Sequence, residues 1–379
     1  MNKPIRPSPV DIDALLDDEN TRILVCCGSG GVGKTTTAAA LAVRAAERGR
    51  KTVVLTIDPA RRLAQALGLK ELDNQPRQVV LEGFEPAGAL NAMMLDMRRT
   101  FDDMVRTHAG PERAEQILNN RFYQTISTSF SGTQEYMAME KLSQLAGTGE
   151  WDLIVVDTPP SRSALDFLDA PQRLSTVLDS KLIKMLASPA RAGGSSLRKL
   201  VGAGFGVFAK VVSTVIGGQL MADASAFVQA FDSTFGGFRE RAEHTYQLLR
   251  SPGTSFLVIA SPEADALREA SYFVERLATE RMPLAGLIAN RTHPVFADLP
   301  ATRTLSAAEE LEAKGSAPLA TAVLRIHADR IALAEREKRL LARFTRAHPE
   351  VALTGVPALP AEVHDLAGLR EIGRRLAGE

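Results

Sequence analysis

The stretch that decides the fold lies at residues 28–35 and reads Gly28-Ser29-Gly30-Gly31-Val32-Gly33-Lys34-Thr35. It matches the pattern G-x-x-x-x-G-K-[ST], in which backbone N–H groups of a glycine-rich loop point at phosphate oxygens. In such a loop Lys34 reaches the β- and γ-phosphates of ATP, and the Thr35 hydroxyl ligates Mg²⁺. The predicted nucleotide-binding residues here are residues 28–35 together with Thr36. The alternative is a glycine-rich turn without a ligand.

The sequence on either side of the loop favours nucleotide binding over that alternative. Residues 21–27 (TRILVCC) form a short apolar run that predicts a buried strand, and residues 36–50 are rich in alanine and predict a helix. Residues 51–58 (KTVVLTID) predict a second strand. Strand, loop, helix and strand in this order indicate a βαβ unit with parallel strands, which is the setting the loop requires.

Further strands repeat along the chain. Residues 151–157, 255–260 and 284–290 each predict a buried strand that ends in a polar turn, and residues 264–280 predict a helix between two of them. The predicted fold is an α/β P-loop NTPase with a doubly wound, mostly parallel sheet and a helical insertion subdomain. Ligands of such sheets bind at the carboxyl ends of the strands.

The predicted domain organisation follows from where this pattern stops. Residues 171–251 contain no convincing strand and are helix-like and rich in Leu, Val and Phe. We expect an N-terminal tail at 1–20, an ATPase core at 21–170 and 252–379, and an apolar insertion at 171–251 that binds a client or forms a dimer interface. Residues 305–346 predict charged helices with a buried stripe at Val323, Ile326, Leu333, Leu340 and Phe344.

Composition limits the possible partners and the location. Lys plus Arg and Asp plus Glu both number 45, which argues against nucleic-acid binding through bulk charge. The N-terminus lacks the apolar stretch of a signal peptide, so a cytoplasmic protein is expected. Residues 201–220 are long enough for a membrane span, but Lys210 lies at the centre. We interpret them as a soluble helix and expect at most peripheral membrane contact.

Two aspartates follow predicted strands. Asp157 ends the run WDLIVVD, where P-loop proteins place a second group on the magnesium side, and the alternative is a carboxylate that caps the following turn. Asp58 ends the second strand within reach of a γ-phosphate, so it is predicted to orient the attacking water. Its alternative is an Asx turn into Pro59. Together with Lys34, Asp58 completes the predicted catalytic pair.

Asn290 follows another predicted strand and can hydrogen-bond a base edge, although an asparagine at this position is also a common turn former. Pro357 and Pro360, in GVPALPAEV, predict a loop.

Six motifs in this spacing resemble the ArsA family, the ATPases of arsenite pumps and of tail-anchored membrane-protein targeting. They are GSGGVGKTTT at 28–37, LTIDPARRLAQALG at 55–68, LNAMMLDMRRTF at 90–101, VVDTPPSRSALDFL at 155–168, IANR at 288–291 and VPALPAEVHDLAGL at 356–369. The resemblance covers the chain from about residue 21.

The resemblance implies more than the motifs alone. Members of the family form two-fold dimers that close around two nucleotides. By this match Asp58 positions water, Asn290 contacts adenine, and residues 356–359, which include Val356 and Pro357, lie against the base. The insertion matches the client-binding subdomain, where closure forms an apolar groove for hydrophobic protein segments.

The sequence departs from the family pattern in two ways. Ser29 replaces a lysine that reaches the partner's nucleotide, so hydrolysis is expected to be slow or to need a partner that donates this charge. We therefore favour a heterodimer with a paralogous ATPase over a homodimer. The only thiols, Cys26 and Cys27, lie on the strand before the loop, which argues against an arsenite site, and no C-x-x-C zinc clasp occurs.

The leading interpretation is an ATP-hydrolysing switch for hydrophobic protein segments. A hydrolysis-poor regulatory subunit is the alternative that Ser29 supports. A partitioning or septum-site ATPase ranks below both, because such proteins lack a long apolar insertion.

Overall fold

The computed structural model describes residues 8–58, 62–81, 88–120, 123–124, 133–159 and 238–379. Of the predicted insertion at 171–251, only residues 238–251 belong to this part of the chain. The segment 201–220 lies outside it, so its interpretation stays a prediction. Within the described ranges, no helix combines the length and the apolar character that crossing a membrane requires.

The chain divides into two compact units. The first unit takes residues up to 94, residues 148–165 and residues 248–379, and the second takes residues 95–147 and 166–247. Residues 95–147 therefore lie outside the unit that carries the sheet. The expected domain bounds and the role of the insertion stay predictions.

The first unit is built on one sheet whose central strands are buried. Its strands are β1 (Ile23–Cys27), β2 (Lys51–Thr56), β3 (Arg77–Gln78), β4 (Ala89–Met94), β5 (Leu153–Asp157), β6 (Thr254–Ala260), β7 (Leu284–Thr292) and β8 (Leu353–Pro357). The strand order is β3-β4-β2-β5-β1-β6-β7-β8, and only the β3–β4 pair is antiparallel. The predicted α/β fold with a mostly parallel sheet is confirmed.

The described ranges also contain eleven helices. They are α1 (Ile12–Asp17), α2 (Lys34–Glu47), α3 (Arg62–Ala66), α4 (Met97–His108), α5 (Pro111–Leu118), α6 (Thr133–Gly147), α7 (Phe238–Arg250), α8 (Ala264–Thr279), α9 (Ala301–Ala313), α10 (Pro318–Ala347) and α11 (Leu366–Leu376). Helix α2 follows the phosphate loop directly, and its alanines are fully buried between the sheet and α11. Small side chains at these positions let the helix lie close to the strands it covers.

The N-terminal segment, which the sequence presents as a tail, contains the short helix α1. Asp11 caps this helix by accepting a hydrogen bond from the backbone N–H of Ala14, and Ile12 and Leu16 are buried. Arg44 of α2 donates to Asp13 at 2.6 Å. These contacts hold residues 11–17 against the first unit.

Helices α4 to α6 and most of α7 belong to the second unit. Phe101 and Tyr123 pack with their ring centroids 5.2 Å apart. Glu140 of α6 is 5% exposed and pairs with Arg241 of α7 at 3.4 Å. Because an unpaired charge is costly to bury, the carboxylate of Glu140 requires a partner of opposite charge.

Two expectations from the sequence were wrong. The stripe on α10 is not buried along its length, because Val323, Ile326 and Leu333 are exposed and only Phe344 near the end is buried. Helix α10 has 30 residues and is about 45 Å long. Its first half extends along α9 and packs through the face opposite to the predicted stripe. Pro357 does not lie in a loop: it ends β8, an edge strand, where a missing N–H is tolerated.

Candidate nucleotide-binding site

The phosphate loop leaves the carboxyl end of β1 and enters α2 through backbone conformations that favour glycine. Gly28, Gly31 and Gly33 have φ angles of 150°, 78° and 92°. A Cβ on Gly28 would lie 2.1 Å from the backbone oxygen of Ile259 at the end of β6. The loop therefore fits against β6 only with glycine at position 28.

The side chain of Lys34 folds back onto the phosphate loop. Its Nζ donates a hydrogen bond to the backbone oxygen of Ser29 at 2.7 Å, and only 5% of the residue is exposed. Burial lowers the pKa of Lys34, and the nearby carboxylate of Asp157 partly offsets this effect. The ammonium group thus lies where a phosphate held by the loop would meet it.

Asp157 closes the magnesium side of the site at the end of β5, which is the neighbour of β1. Its Oδ2 accepts hydrogen bonds from Thr35 Oγ1 at 2.8 Å and from Thr56 Oγ1 at 2.9 Å. Its Oδ1 is buried and has no hydrogen-bond partner among the described residues. Burial raises the pKa of Asp157 to about 6.

These contacts fit a magnesium ion shared with a nucleotide. Mg²⁺ is usually bound through one or two carboxylates, phosphate oxygens and water. The unpartnered Oδ1 of Asp157 and the Thr35 hydroxyl beside it supply this type of ligand. The described residues contain no cluster of three or more His, Cys, Asp or Glu side chains that could hold a metal alone. One carboxylate and one hydroxyl leave the other coordination positions to phosphate oxygens and water, so these two side chains suit a metal that arrives with phosphate.

One cavity of about 780 Å³ joins most of the predicted site residues. Its walls include Gly31, Gly33, Lys34, Thr35, Thr36, Asp58, Asn290 and Pro357, all of which the sequence singles out. Val356 does not line this cavity and is only 1% exposed, so of β8 it is Pro357 that bounds the space. The walls also contain residues that lie within the quoted motifs but received no role from the sequence: Arg62, Gln65, Thr158, Arg291 and His364.

Asn290 contacts the phosphate loop directly, although 258 residues separate it from its partner. Its Nδ2 donates to the backbone oxygen of Val32 at 2.8 Å, and it is 6% exposed. A Cβ on Gly33 would lie 2.2 Å from the same nitrogen. The side chain thus supports the loop, and its predicted contact with a base stays a prediction.

A family model for anion-transporting ATPases matches residues 21–339 of this chain. The chain belongs to the anion-transporting ATPase family. This confirms the family to which the motifs pointed, and with it the prediction that the protein is an ATPase.

Curated relatives agree with this family. The chain is 26% identical over 281 residues to ATPase GET3 of Podospora anserina, which covers 74% of this chain and 76% of the relative. It is also 26% identical over 286 residues to ATPase GET3 of Malassezia globosa, which covers 75% and 76%.

This ATPase has a second cavity, of about 840 Å³, which Lys34 does not line. Its walls include Ser29, Gly30, Arg291, His293 and Glu337. His293 Nδ1 lies 2.6 Å from Glu337 Oε1, and Glu337 Oε2 accepts from the His293 backbone N–H at 2.9 Å. Ser29, which replaces the lysine of the pattern that the motifs resemble, therefore lines a cavity with both apolar and charged walls.

The two thiols of this ATPase lie beneath the loop. Cys26 and Cys27 are fully buried in β1, and burial raises the pKa of both, in the case of Cys27 to about 12. Thiolate is the form that binds soft ligands such as trivalent arsenic. Both side chains are thus held as neutral, enclosed thiols, which is the core position expected from the sequence.

Proposed function

We propose that this ATPase binds ATP with Mg²⁺ in the cavity beside the phosphate loop and hydrolyses it as a dimeric switch that handles hydrophobic protein segments. The observation that carries the proposal is the meeting of Lys34, Thr35 and Asp157, with a buried Asp157 oxygen that has no hydrogen-bond partner among the described residues. A divalent cation bound with a nucleotide would satisfy that oxygen.

Each residue has a distinct role in this proposal. The loop's N–H groups and Lys34 bind the phosphates, and the carbonyl contact that Lys34 makes with Ser29 gives way to phosphate oxygens. Thr35 and Asp157 hold Mg²⁺, which supplies charge neutralisation at the phosphates. Asp58, which follows β2 and lines the same cavity, orients the attacking water. Asn290 and Pro357 bound the space for the base.

The proposed dimer and the proposed hydrophobic client are inferred from the resemblance to the ArsA family. Two related chains named ATPase GET3 and the ArsA-type motifs support a cytoplasmic, two-fold dimer whose closure shapes an apolar surface. The proposed client region, 171–251, falls mostly outside the described residues.

A second candidate is a hydrolysis-poor regulatory subunit that works with a paralogous partner. Ser29 favours it, because this short neutral side chain is 9% exposed and cannot supply a positive charge to a facing nucleotide. In that arrangement the partner supplies the missing cation.

The experiment that tests these candidates is ATP turnover by the purified chain and by Lys34→Ala. We expect turnover in the wild type and at least a 100-fold loss, on the order of 3 kcal/mol of transition-state stabilisation, in the variant. Lys314→Ala, at an exposed ion pair after α9, is the matched control and should keep wild-type turnover.

ATP binding without turnover would favour the regulatory subunit and direct attention to proteins that co-purify with the chain. No ATP binding at all, in a folded wild-type sample with Mg²⁺, would contradict both candidates.

A further inference from the structure

Arg291 stands out at the end of β7 because the backbone turns there in a way that arginine rarely adopts. The register between β7 and β8 shifts between Asn290 and Thr292, so Arg291 is left out of the strand pairing. Its φ is 61°, in the left-handed region. Non-glycine residues in this region are conformationally unfavourable and concentrate at functional sites.

The neighbours of Arg291 hold it in that conformation. Asn290 donates to the backbone oxygen of Val32, and on the other side the N–H of Ala358 donates to the backbone oxygen of Thr292 at 2.9 Å. Both contacts secure the strand end on either side of Arg291. The backbone therefore presents this one side chain towards the phosphate loop.

The guanidinium of Arg291 contacts the phosphate loop directly. Arg291 Nη1 donates to the backbone oxygen of Gly31 at 3.2 Å, the long end of the range for such hydrogen bonds. Lys34 makes the equivalent contact with the oxygen of Ser29, two residues earlier in the loop. Two cations thus donate to carbonyl oxygens of one phosphate-binding loop, and both line the same 780 Å³ cavity.

The charge of Arg291 is not neutralised by an ion pair in the described part of the chain. Elsewhere in the first unit, Arg44 and Arg48 at the C-terminal end of α2 pair with carboxylates of α1. Arg291 is exposed, and its guanidinium donates a hydrogen bond to a neutral carbonyl. A phosphate oxygen is a better acceptor than a carbonyl, because charge-assisted hydrogen bonds are roughly twice as strong as neutral ones.

We propose that Arg291 is a nucleotide-contacting residue whose guanidinium exchanges the carbonyl of Gly31 for a phosphate oxygen of the nucleotide held by Lys34. This rests on the proposed function, since it requires that the cavity binds ATP. Arg291 then supplies a second positive charge at the phosphates from a strand end 260 residues beyond Gly31 of the loop.

The test is a titration of the full chain with ATP, ADP and adenosine in the presence of Mg²⁺. Arg291→Asn is the main variant, because asparagine adopts the left-handed region readily and the fold should persist. Arg291→Lys keeps the charge but loses the fork of donors. Arg281→Asn is the matched control, since Arg281 is also an exposed arginine with a φ of 55° but lies at the turn before β7, away from the cavity.

We expect Arg291→Asn to weaken binding of ATP and ADP by about 10- to 100-fold and to leave adenosine binding unchanged. The affinities of Arg291→Lys for ATP and ADP should lie between those of Arg291→Asn and the wild type. Arg281→Asn should bind all three ligands with wild-type affinity. An unchanged ATP affinity in Arg291→Asn would overturn the inference, as would an equal loss for adenosine and ATP. Failure of the wild type to bind ATP would instead refute the proposed function and this inference with it.

Discussion

The phosphate loop is supported from two sides that differ in how the chain builds them. On one side, β1, the loop and α2 are contiguous, and Lys34 and Thr35 follow from a single eight-residue motif. On the other side, β6 and β7 bring Ile259 and Asn290 against the loop from more than 200 residues away. The motif thus provides the donors, while distant strands determine the space in which the loop can adopt its shape.

We expect the largest loss of stability from a substitution where the phosphate loop contacts β6. Gly28→Ala places a Cβ 2.1 Å from the Ile259 backbone oxygen at a φ of 150°, so either the loop or β6 must move. We expect the free energy of unfolding to fall by about 2–4 kcal/mol, together with loss of ATP binding. Chemical denaturation and nucleotide titration would measure the two effects.

Gly31→Ala is the matched control within the same loop. Its φ of 78° also favours glycine, but a Cβ there would have no atom within 4 Å. Only backbone strain of about 1 kcal/mol is expected. Equal losses in the two variants would mean that contact with β6 does not shape the loop.

The next largest effect is a pH dependence of stability that comes from Asp157, which is buried at the end of β5. Because burial raises its pKa from 3.8 to about 6, the folded state binds a proton more tightly than the unfolded state does. The contribution of Asp157 to stability therefore falls as the pH rises from about 4 to 6, by on the order of 2–3 kcal/mol, and stays low above pH 6.

Asp157→Asn should accordingly be more stable than the wild type at pH 7.5 without metal or nucleotide, and this difference should shrink towards pH 4.5. Addition of Mg²⁺ and ATP should raise the melting temperature of the wild type and leave that of Asp157→Asn nearly unchanged. A stability difference that is independent of pH would show that Asp157 is not buried in its charged form.

The smallest expected effect is a coupling between the loop and β7. Gly33→Ala places a Cβ 2.2 Å from Asn290 Nδ2, and Asn290→Ala removes that nitrogen. The double variant should be less destabilised than the sum of the single variants, by about 1 kcal/mol. Some loss remains, because a φ of 92° disfavours alanine at position 33. Strict additivity in urea unfolding would argue against direct contact between the two residues.

The central strands were predictable because each is a short apolar run that ends in a polar turn. The strands β1, β2, β5, β6 and β7 lie within two residues of their predicted bounds. In contrast, β8 (LTGVP) contains Gly and Pro, which lower strand propensity, and it forms because β7 offers it a free edge. The exposed half of the α10 stripe was mispredicted because periodicity does not reveal which face of a helix packs against its neighbours.

The sequence by itself determined the phosphate loop, the alternation of strands and helices, and the family, because these depend on residues that are close along the chain. The tertiary structure decided the strand order β5-β1-β6-β7, and this order brings Asp157, Gly33 and Asn290 into one site. It also decided that Arg291 faces the loop, through a register shift against β8. The physical reason is that strand pairing and register depend on contacts between residues far apart in sequence, which a single chain's local pattern does not encode.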